Sequence, residues 1–264
     1  MDREKTGQRN ARELVNAAAR QFLELVFPSN IYCVACGGII DQTRPYALCD
    51  RCARAFHWAN GRTCAKCGKI LQDTYPRDIC LDCRENARVF AKGYICVQYG
   101  MRERDLLLAF KYGGQAFVGE KLAEIMADRI APEELDIDLI VPVPMHRRKQ
   151  RRRGFNQADL MARRLAKKLS VPYAANLLLR TTDTPAMSKL NPVERRGNLE
   201  GAFGLAAGGE RRVAGASILL VDDIYTTGST GDACSETLLA GGAAEVRLIS
   251  FAGGANRTAS GLDD

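Results

Sequence analysis

The chain is 264 residues long, 46% apolar and 26% charged, and its 38 Lys and Arg against 31 Asp and Glu leave a formal net charge of +7. This length suits one medium domain plus a small one. The apolar content is ordinary for a soluble protein, and no uninterrupted apolar run is long enough to cross a bilayer, which excludes a helical membrane protein.

Residues 1–29 carry charges throughout and hold no apolar block with a cleavage site, so they do not read as a signal peptide, and a cytoplasmic location is expected. Leu14, Ala18, Phe22, Leu25 and Val26 instead share one face of an amphipathic helix ending near Pro28, expected to pack on the segment that follows.

Residues 30–88 carry eight of the ten cysteines. Cys33, Cys36, Cys49 and Cys52 form Cys-x2-Cys, a twelve-residue spacer and a second Cys-x2-Cys; Cys64, Cys67, Cys80 and Cys83 repeat that spacing 31 residues later. Gly37 and Gly68 each follow the second cysteine, where glycine serves a turn with positive φ. Two such knuckles can close a tetrahedral four-sulfur shell, so tandem Zn2+ ribbons are the leading reading. Disulfides or free thiols are the alternatives, and disulfides need an oxidising compartment to which nothing here directs the chain. The zinc would be structural, because four thiolates leave no position for a catalytic water. Ligand sets confined to each repeat or interleaved between them both satisfy the spacing. His57, between the repeats, reads as a packing or solvent-facing residue, and Cys96 and Cys234 as small core hydrophobes.

Residues 89–255 alternate strand and helix. Tyr94 to Tyr99 is β-like; Arg102 to Phe110 and Gln115 to Ile130 are helical, separated by Tyr112-Gly113-Gly114. Asp138 to Val141 is a short buried strand halted by Pro142 and Pro144. A helix over Phe155 to Leu169, strands at Leu177 to Leu179 and Ala202 to Leu205, and a long irregular segment between those strands come next. The order closes with a strand from Ser217 to Val221, a helix from Asp232 to Ala240 and a strand from Glu245 to Phe251. This is an α/β pattern with a parallel sheet covered by helices on both faces, and residues 256–264 form a flexible tail. Arg147, Arg148, Lys149, Arg151, Arg152 and Arg153 crowd one loop, and Arg195, Arg196, Arg211 and Arg212 add smaller clusters. Such runs are solvated surface, or recognise pyrophosphate or nucleic-acid phosphates.

Ile218 to Thr230, Ile-Leu-Leu-Val-Asp-Asp-Ile-Tyr-Thr-Thr-Gly-Ser-Thr, carries the clearest chemistry. A buried strand ends in two carboxylates, then small hydroxylic residues and glycine lead into a helix. Successive backbone N–H groups at a helix start cradle a phosphate, and carboxylates at the carboxyl end of a strand accept hydrogen bonds from vicinal hydroxyls. The run resembles the 5-phosphoribosyl-1-pyrophosphate (PRPP) motif of type I phosphoribosyltransferases. That resemblance implies that Asp222 and Asp223 hold the ribose hydroxyls and that Thr226, Thr227, Gly228, Ser229 and Thr230 surround the 5′-phosphate.

Val141-Pro142-Val143-Pro144 followed by Met145, His146 and Arg147 resembles the pyrophosphate loop of glutamine-dependent amidophosphoribosyltransferases. Its continuation to Arg153-Gly154-Phe155-Asn156-Gln157-Ala158 is still more similar to the ComF family of competence-associated proteins. The ribbons, Lys111-Tyr112-Gly113, Leu179-Arg180, Thr184-Pro185, Glu194-Arg195-Arg196 and Gly201-Ala202-Phe203 fit as well, so the resemblance spans about residues 14–252. It implies a type I phosphoribosyltransferase fold behind a small zinc-ribbon domain, PRPP with Mg2+ as ligand, and a part in DNA uptake or nucleotide metabolism. Lys111, Arg195 and Arg196 are the candidate catalytic cations. Met187 stands where the family pattern carries glutamine, and an amide hydrogen bond is lost there. Thr226 replaces the acid usual in transferases for 6-oxopurines, which argues against purine salvage. No glutaminase segment accompanies the domain, so full amidotransferase activity is not implied. Three functions remain open: a phosphoribosyltransferase of unknown acceptor, a non-catalytic single-stranded-DNA-binding accessory protein retaining the pocket, and a PRPP sensor whose ribbons dock a partner such as the DNA-uptake machinery.

Overall fold

A computed structural model describes residues 31–112, 117–181 and 201–256. The amphipathic N-terminal helix, Met187, Arg195, Arg196 and residues 257–264 of the expected tail lie outside the described residues. The chain divides into two compact units, one ending at Arg54 and the other beginning at Ala55. The first four-cysteine repeat therefore belongs to one unit, and the second shares a unit with the α/β sheet.

The two repeats fold alike. Tyr32 bridges Ile39 antiparallel in the first, and Thr63 bridges Ile70, 31 residues on, in the second. Gly37 and Gly68 have φ of 70° and 76°, the left-handed turn expected after each knuckle. Each second knuckle runs into a short helix, α1 (Asp50–Ala55) and α2 (Leu81–Glu85).

In the larger unit the strands β1 (Gly93–Gln98), β2 (Leu139–Pro142), β5 (Ser217–Tyr225) and β6 (Glu245–Gly253) form one parallel sheet in the order β1-β6-β5-β2. The helices between them are α3 (Met101–Tyr112), α4 (Val118–Ile130), α5 (Arg147–Arg153), α6 (Gln157–Leu169), α7 (Glu210–Val213) and α8 (Ser229–Ala240). Helices α4 and α6 pack together, α4 on β1 and β6 and α6 on β2 and β5. Strand alternation turns Ile218 and Leu220 the other way, into a core with Cys234 and Leu238 of α8. Helices thus cover both faces, as the alternating pattern implied. Among the described residues, no helix is long and apolar enough to cross a membrane.

Five elements depart clearly from the expected ones. Strands β3 (Leu178–Arg180) and β4 (Phe203–Leu205) pair antiparallel as a separate two-stranded sheet instead of joining the parallel one. The basic run is no loop but the helix α5, which His146 caps by accepting from the Arg148 N–H at 3.4 Å. Helix α6 starts two residues later than expected, because the Asn156 side chain caps it through the Ala158 N–H and Phe155 packs on Phe110 instead. Strand β5 does not end at Val221. It continues through both aspartates to Tyr225, because β6 is long enough to pair with it as far as Gly253.

The second ribbon sits on this sheet. Cys64, Cys67, Leu71 and Cys80 share a buried core with Phe90, Ile95 and Leu248. Its backbone approaches β1 so closely that a Cβ on Gly68 would lie 2.6 Å from the Gly93 carbonyl oxygen. The Gly93 N–H donates to the Lys66 carbonyl at 2.8 Å.

Candidate functional site

The different lengths of β2 and β5 create the site. Strand β2 pairs with β5 only from Ile218 to Val221, and the last bond between them runs from the Val143 N–H to the Val221 carbonyl at 2.8 Å. Asp222 and Asp223 lie just beyond, where β5 is bordered by β6 on one side and open on the other, at the carboxyl end of the strands. The Asp223 N–H donates to Asp222 Oδ1 at 2.8 Å, and Lys111, near the end of α3, places Nζ 2.5 Å from Asp223 Oδ2. Burial and then the neighbouring Asp223 charge raise the Asp222 carboxyl to about 8, against which the Asp223 N–H and Lys111 pull only partly.

Beyond Tyr225 the chain turns into α8 through Thr226, Thr227 and Gly228. Gly228 is the N-cap, with φ 86°, and a Cβ there would meet the Tyr225 hydroxyl at 2.5 Å. Only glycine fits. The Asp232 N–H closes the first helical turn onto the Gly228 carbonyl, and the Thr227 and Ser229 hydroxyls lie 3.0 Å apart. The first N–H groups of α8 have no intrahelical acceptor and face the start of this loop. Strand β5 thus carries the acidic pair before its end at Tyr225, and the loop and α8 follow.

On the far side of β2, Met145, His146 and Arg147 border a cavity of about 850 Å³ that reaches Asn176, Arg180 and Thr181. Asp222, Asp223 and the Thr226 to Thr230 loop are not among its walls. The structure thus groups the expected residues into two neighbourhoods, one around the acidic pair with Lys111 and one around the β2 turn. Residues that sequence reasoning missed stand in both. Asp159 accepts from the Tyr173 hydroxyl and pairs with Arg163 at 3.6 Å along the cavity wall. Arg88, Lys69 and Asp232 surround the back of the Thr226 to Thr230 loop. No local motif marks any of them.

The cysteines assemble within each repeat, not between repeats. The sulfurs of Cys33, Cys36, Cys49 and Cys52 all lie within 4.8 Å of one another, as do those of Cys64, Cys67, Cys80 and Cys83. Cys36 and Cys49 sulfurs are 3.8 Å apart and those of Cys67 and Cys80 3.6 Å. A tetrahedral shell with Zn–S near 2.3 Å requires sulfurs about 3.8 Å apart, so both sets fit Zn2+. The Cys49 and Cys80 N–H groups donate to the Cys33 and Cys64 sulfurs at 3.4 and 3.3 Å, which stabilises thiolate charge. His57 belongs to neither set. Its side chain is largely exposed, and its backbone N–H and ring approach Glu103. Cys96 on β1 and Cys234 on α8 are buried in the core.

The chain is similar to known proteins in both its parts. A family model described as a double zinc ribbon domain matches residues 22–84. Competence protein F of Haemophilus influenzae is 36% identical over 156 residues, covering 56% of this chain and 66% of that protein. The DNA utilization protein YhgH of Escherichia coli K12 is 39% identical over 111 residues, 42% of this chain and 47% of that one. The chain belongs to the ComF family. The matches of this ComF-family chain therefore span about two thirds and about half of those relatives' length. Among solved structures, the glutamine PRPP amidotransferase of Bacillus subtilis complexed with ADP and GMP aligns at TM-score 0.37 and 18% identity, over 54% of this chain and 30% of that one. TT1426 of Thermus thermophilus aligns at 0.32 and 14%, over 55% and 86%. Likenesses this loose carry no ligand and no chemistry to the ComF-family site, whose reading rests on its own residues.

Proposed function

We propose that this ComF-family chain binds PRPP with Mg2+ and is a phosphoribosyltransferase of still unassigned acceptor. The observation that carries the reading is the acidic pair standing past the end of β2, followed after Ile224 and Tyr225 by a loop that turns left-handed at Gly228 into α8. In this reading Asp222 and Asp223 accept hydrogen bonds from the ribose 2′ and 3′ hydroxyls. Thr226, Thr227, Gly228, Ser229 and Thr230 bind the 5′-phosphate through backbone N–H and hydroxyl donors. Met145, His146 and Arg147 at the β2 turn face the pyrophosphate, joined by Arg195 or Arg196.

The two adjacent carboxylates offer hard oxygen donors of the kind Mg2+ takes while keeping several waters, so the residues present fit the ion. Bound there, Mg2+ supplies charge neutralisation at the leaving pyrophosphate. The chain's own residues position the sugar and place cations where negative charge develops as the bond between ribose C1 and pyrophosphate breaks. Thr226 holds neither acid nor base near neutral pH, which keeps purine acceptors out of the proposal. Calorimetry with PRPP and Mg2+ tests it: binding in the wild type and its loss in the Asp222→Asn, Asp223→Asn double variant is the expected result. A wild type that takes up no PRPP ends both the enzyme and the sensor readings.

A second reading has an observation of its own. Helix α5 presents Arg147, Arg148, Arg151 and Arg152 to solvent, a surface suited to single-stranded DNA, and a role in DNA uptake agrees with the names of the relatives. Titration of single-stranded DNA at several salt concentrations tests it.

A further inference from the structure

We propose that Arg88 is a positioning residue through which the second four-cysteine ribbon holds the Thr226 to Thr230 loop in its phosphate-binding shape; this rests on the reading of that loop as the phosphate site. Arg88 lies five residues beyond Cys83 and is almost fully buried. One arm of its guanidinium reaches Asp232 Oδ2 at 3.1 Å and the other donates to the Asp82 carbonyl at 3.2 Å. The Val89 N–H takes the other Asp232 oxygen at 2.9 Å. Asp232 stands in the first turn of α8, and its own N–H holds the Gly228 carbonyl at 2.8 Å. A rigid, planar fork thus connects the ribbon helix α2 and the first turn behind the loop.

Two further contacts run in parallel. Lys69, between the knuckles of the second ribbon, pairs with Asp82 at 2.6 Å and lies 5.7 Å from the centre of the Tyr225 ring. Tyr225 packs edge-on to Phe90, and its hydroxyl lies beneath Gly228. The loop is therefore seated on ribbon-derived groups from below, with no room between them for even a Cβ.

The two repeats differ at these positions. Counting back 31 residues from Lys69, Asp82 and Arg88 gives Gly38, Arg51 and His57. Both repeats keep their four cysteines and the following glycine, but only the second carries the cation, carboxylate and guanidinium that reach the loop. The second ribbon is built into the phosphate site: a metal held by Cys64, Cys67, Cys80 and Cys83 would fix the knuckle that carries Asp82, whose carbonyl orients Arg88.

The experiment compares full-length, zinc-loaded wild type with Arg88→Ala, Arg88→Lys, Asp232→Asn and Cys36→Ser, reading zinc content, amide hydrogen exchange of residues 226–232 without ligand, and PRPP affinity with Mg2+. Loss of charge-assisted hydrogen bonds to Asp232 is expected to speed loop exchange and weaken PRPP by roughly tenfold or more in Arg88→Ala. Arg88→Lys restores part of both, because a point charge reaches Asp232 without the second arm. Cys36→Ser loses one zinc and leaves loop exchange unchanged. Asp232→Asn, which does not touch the ribbon, keeps both zinc ions and loosens the loop, so it decides the matter should Arg88→Ala also shed metal. Loop exchange in Arg88→Ala and Asp232→Asn within twofold of wild type overturns the proposal, as does equal loosening by Cys36→Ser. Loosened exchange in a protein whose wild type binds no PRPP leaves the coupling standing and removes only the ligand.

Discussion

Gly228→Ala puts the tightest point of the site under test. With φ at 86°, a residue bearing a Cβ pays a left-handed cost of about 1–2 kcal/mol. The new methyl would also lie 2.5 Å from the Tyr225 hydroxyl and 3.0 Å from an Arg88 guanidinium nitrogen. Neither can retreat freely: Tyr225 is 3% exposed and packs on Phe90, and Arg88 is held by Asp232. Overpacking of this kind costs about 1–3 kcal/mol, so the whole loss is about 2–5 kcal/mol. Gly154→Ala isolates the first part, since Gly154 has φ 89° but nothing within 4 Å of its Cβ position. Thermal unfolding of both variants reads the difference, at roughly 2–4 °C per kcal/mol for a unit of this size. Gly228→Ala should melt well below Gly154→Ala. Equal melting temperatures would refute the claim that the loop is wedged against Tyr225 and Arg88.

Asp222 makes stability depend on pH. Its folded carboxyl is raised to about 8 from an unfolded value near 3.9, so its contribution is full below the unfolded value and is lost as pH rises through about 8. The wild-type melting temperature should fall between pH 5 and pH 9 more steeply than that of Asp222→Asn; parallel curves would sink the assignment. A chromogenic chelator should draw two zinc ions per chain in two phases, the faster from the first repeat, because Cys36 is exposed while Cys64, Cys67 and Cys80 are buried. Cys36→Ser should abolish the fast phase, and its persistence would contradict the burial argument. For single-stranded DNA, four phosphates neutralised by Arg147, Arg148, Arg151 and Arg152 give a log–log salt slope near about −3, which alanine at all four should flatten. An unchanged slope would place binding elsewhere.

The cysteine repeat was the most legible part of the chain, because metal ligation imposes a spacing that survives without context: both shells and both left-handed glycines stand where the spacing put them. The order of strands and helices was legible for a similar reason, since Ser217 to Val221 is a short, mostly apolar run and Glu245 to Phe251 is rich in apolar and β-branched residues. What escaped depended on partners remote in sequence. Strand β5 reaches Tyr225 only because β6 continues to Gly253, and nothing near Asp222 signals that. The β3–β4 pair joins segments separated by more than twenty residues, so its antiparallel sense was invisible to local pattern. The basic run gave no helical signal because it has no apolar face; its cap, His146, is an unusual one. Arg88 and Asp232 are 144 residues apart, and each alone is an ordinary surface charge.

The charges around the acidic pair also explain where Lys111 sits. The family resemblance made this lysine a candidate catalytic cation, yet its Nζ rests on Asp223, 2.5 Å away. Two carboxylates at the end of one strand cannot both ionise cheaply in a half-buried crevice. Lys111 neutralises Asp223, and the remaining strain falls on Asp222, which is why burial and its neighbour hold that carboxyl near 8. Lys111 thus offsets the charge of Asp223, while Asp222 is pushed toward its neutral form. A ligand bringing only phosphate would find no net attraction there, and a ligand bringing only hydroxyls would find Asp223 already engaged. One bringing both hydroxyls and a divalent cation would replace Lys111 at Asp223 and let Asp222 ionise, freeing the lysine at the end of α3 for a phosphate oxygen. Under the proposed function, the Lys111–Asp223 ion pair is the contact that such a ligand would have to displace.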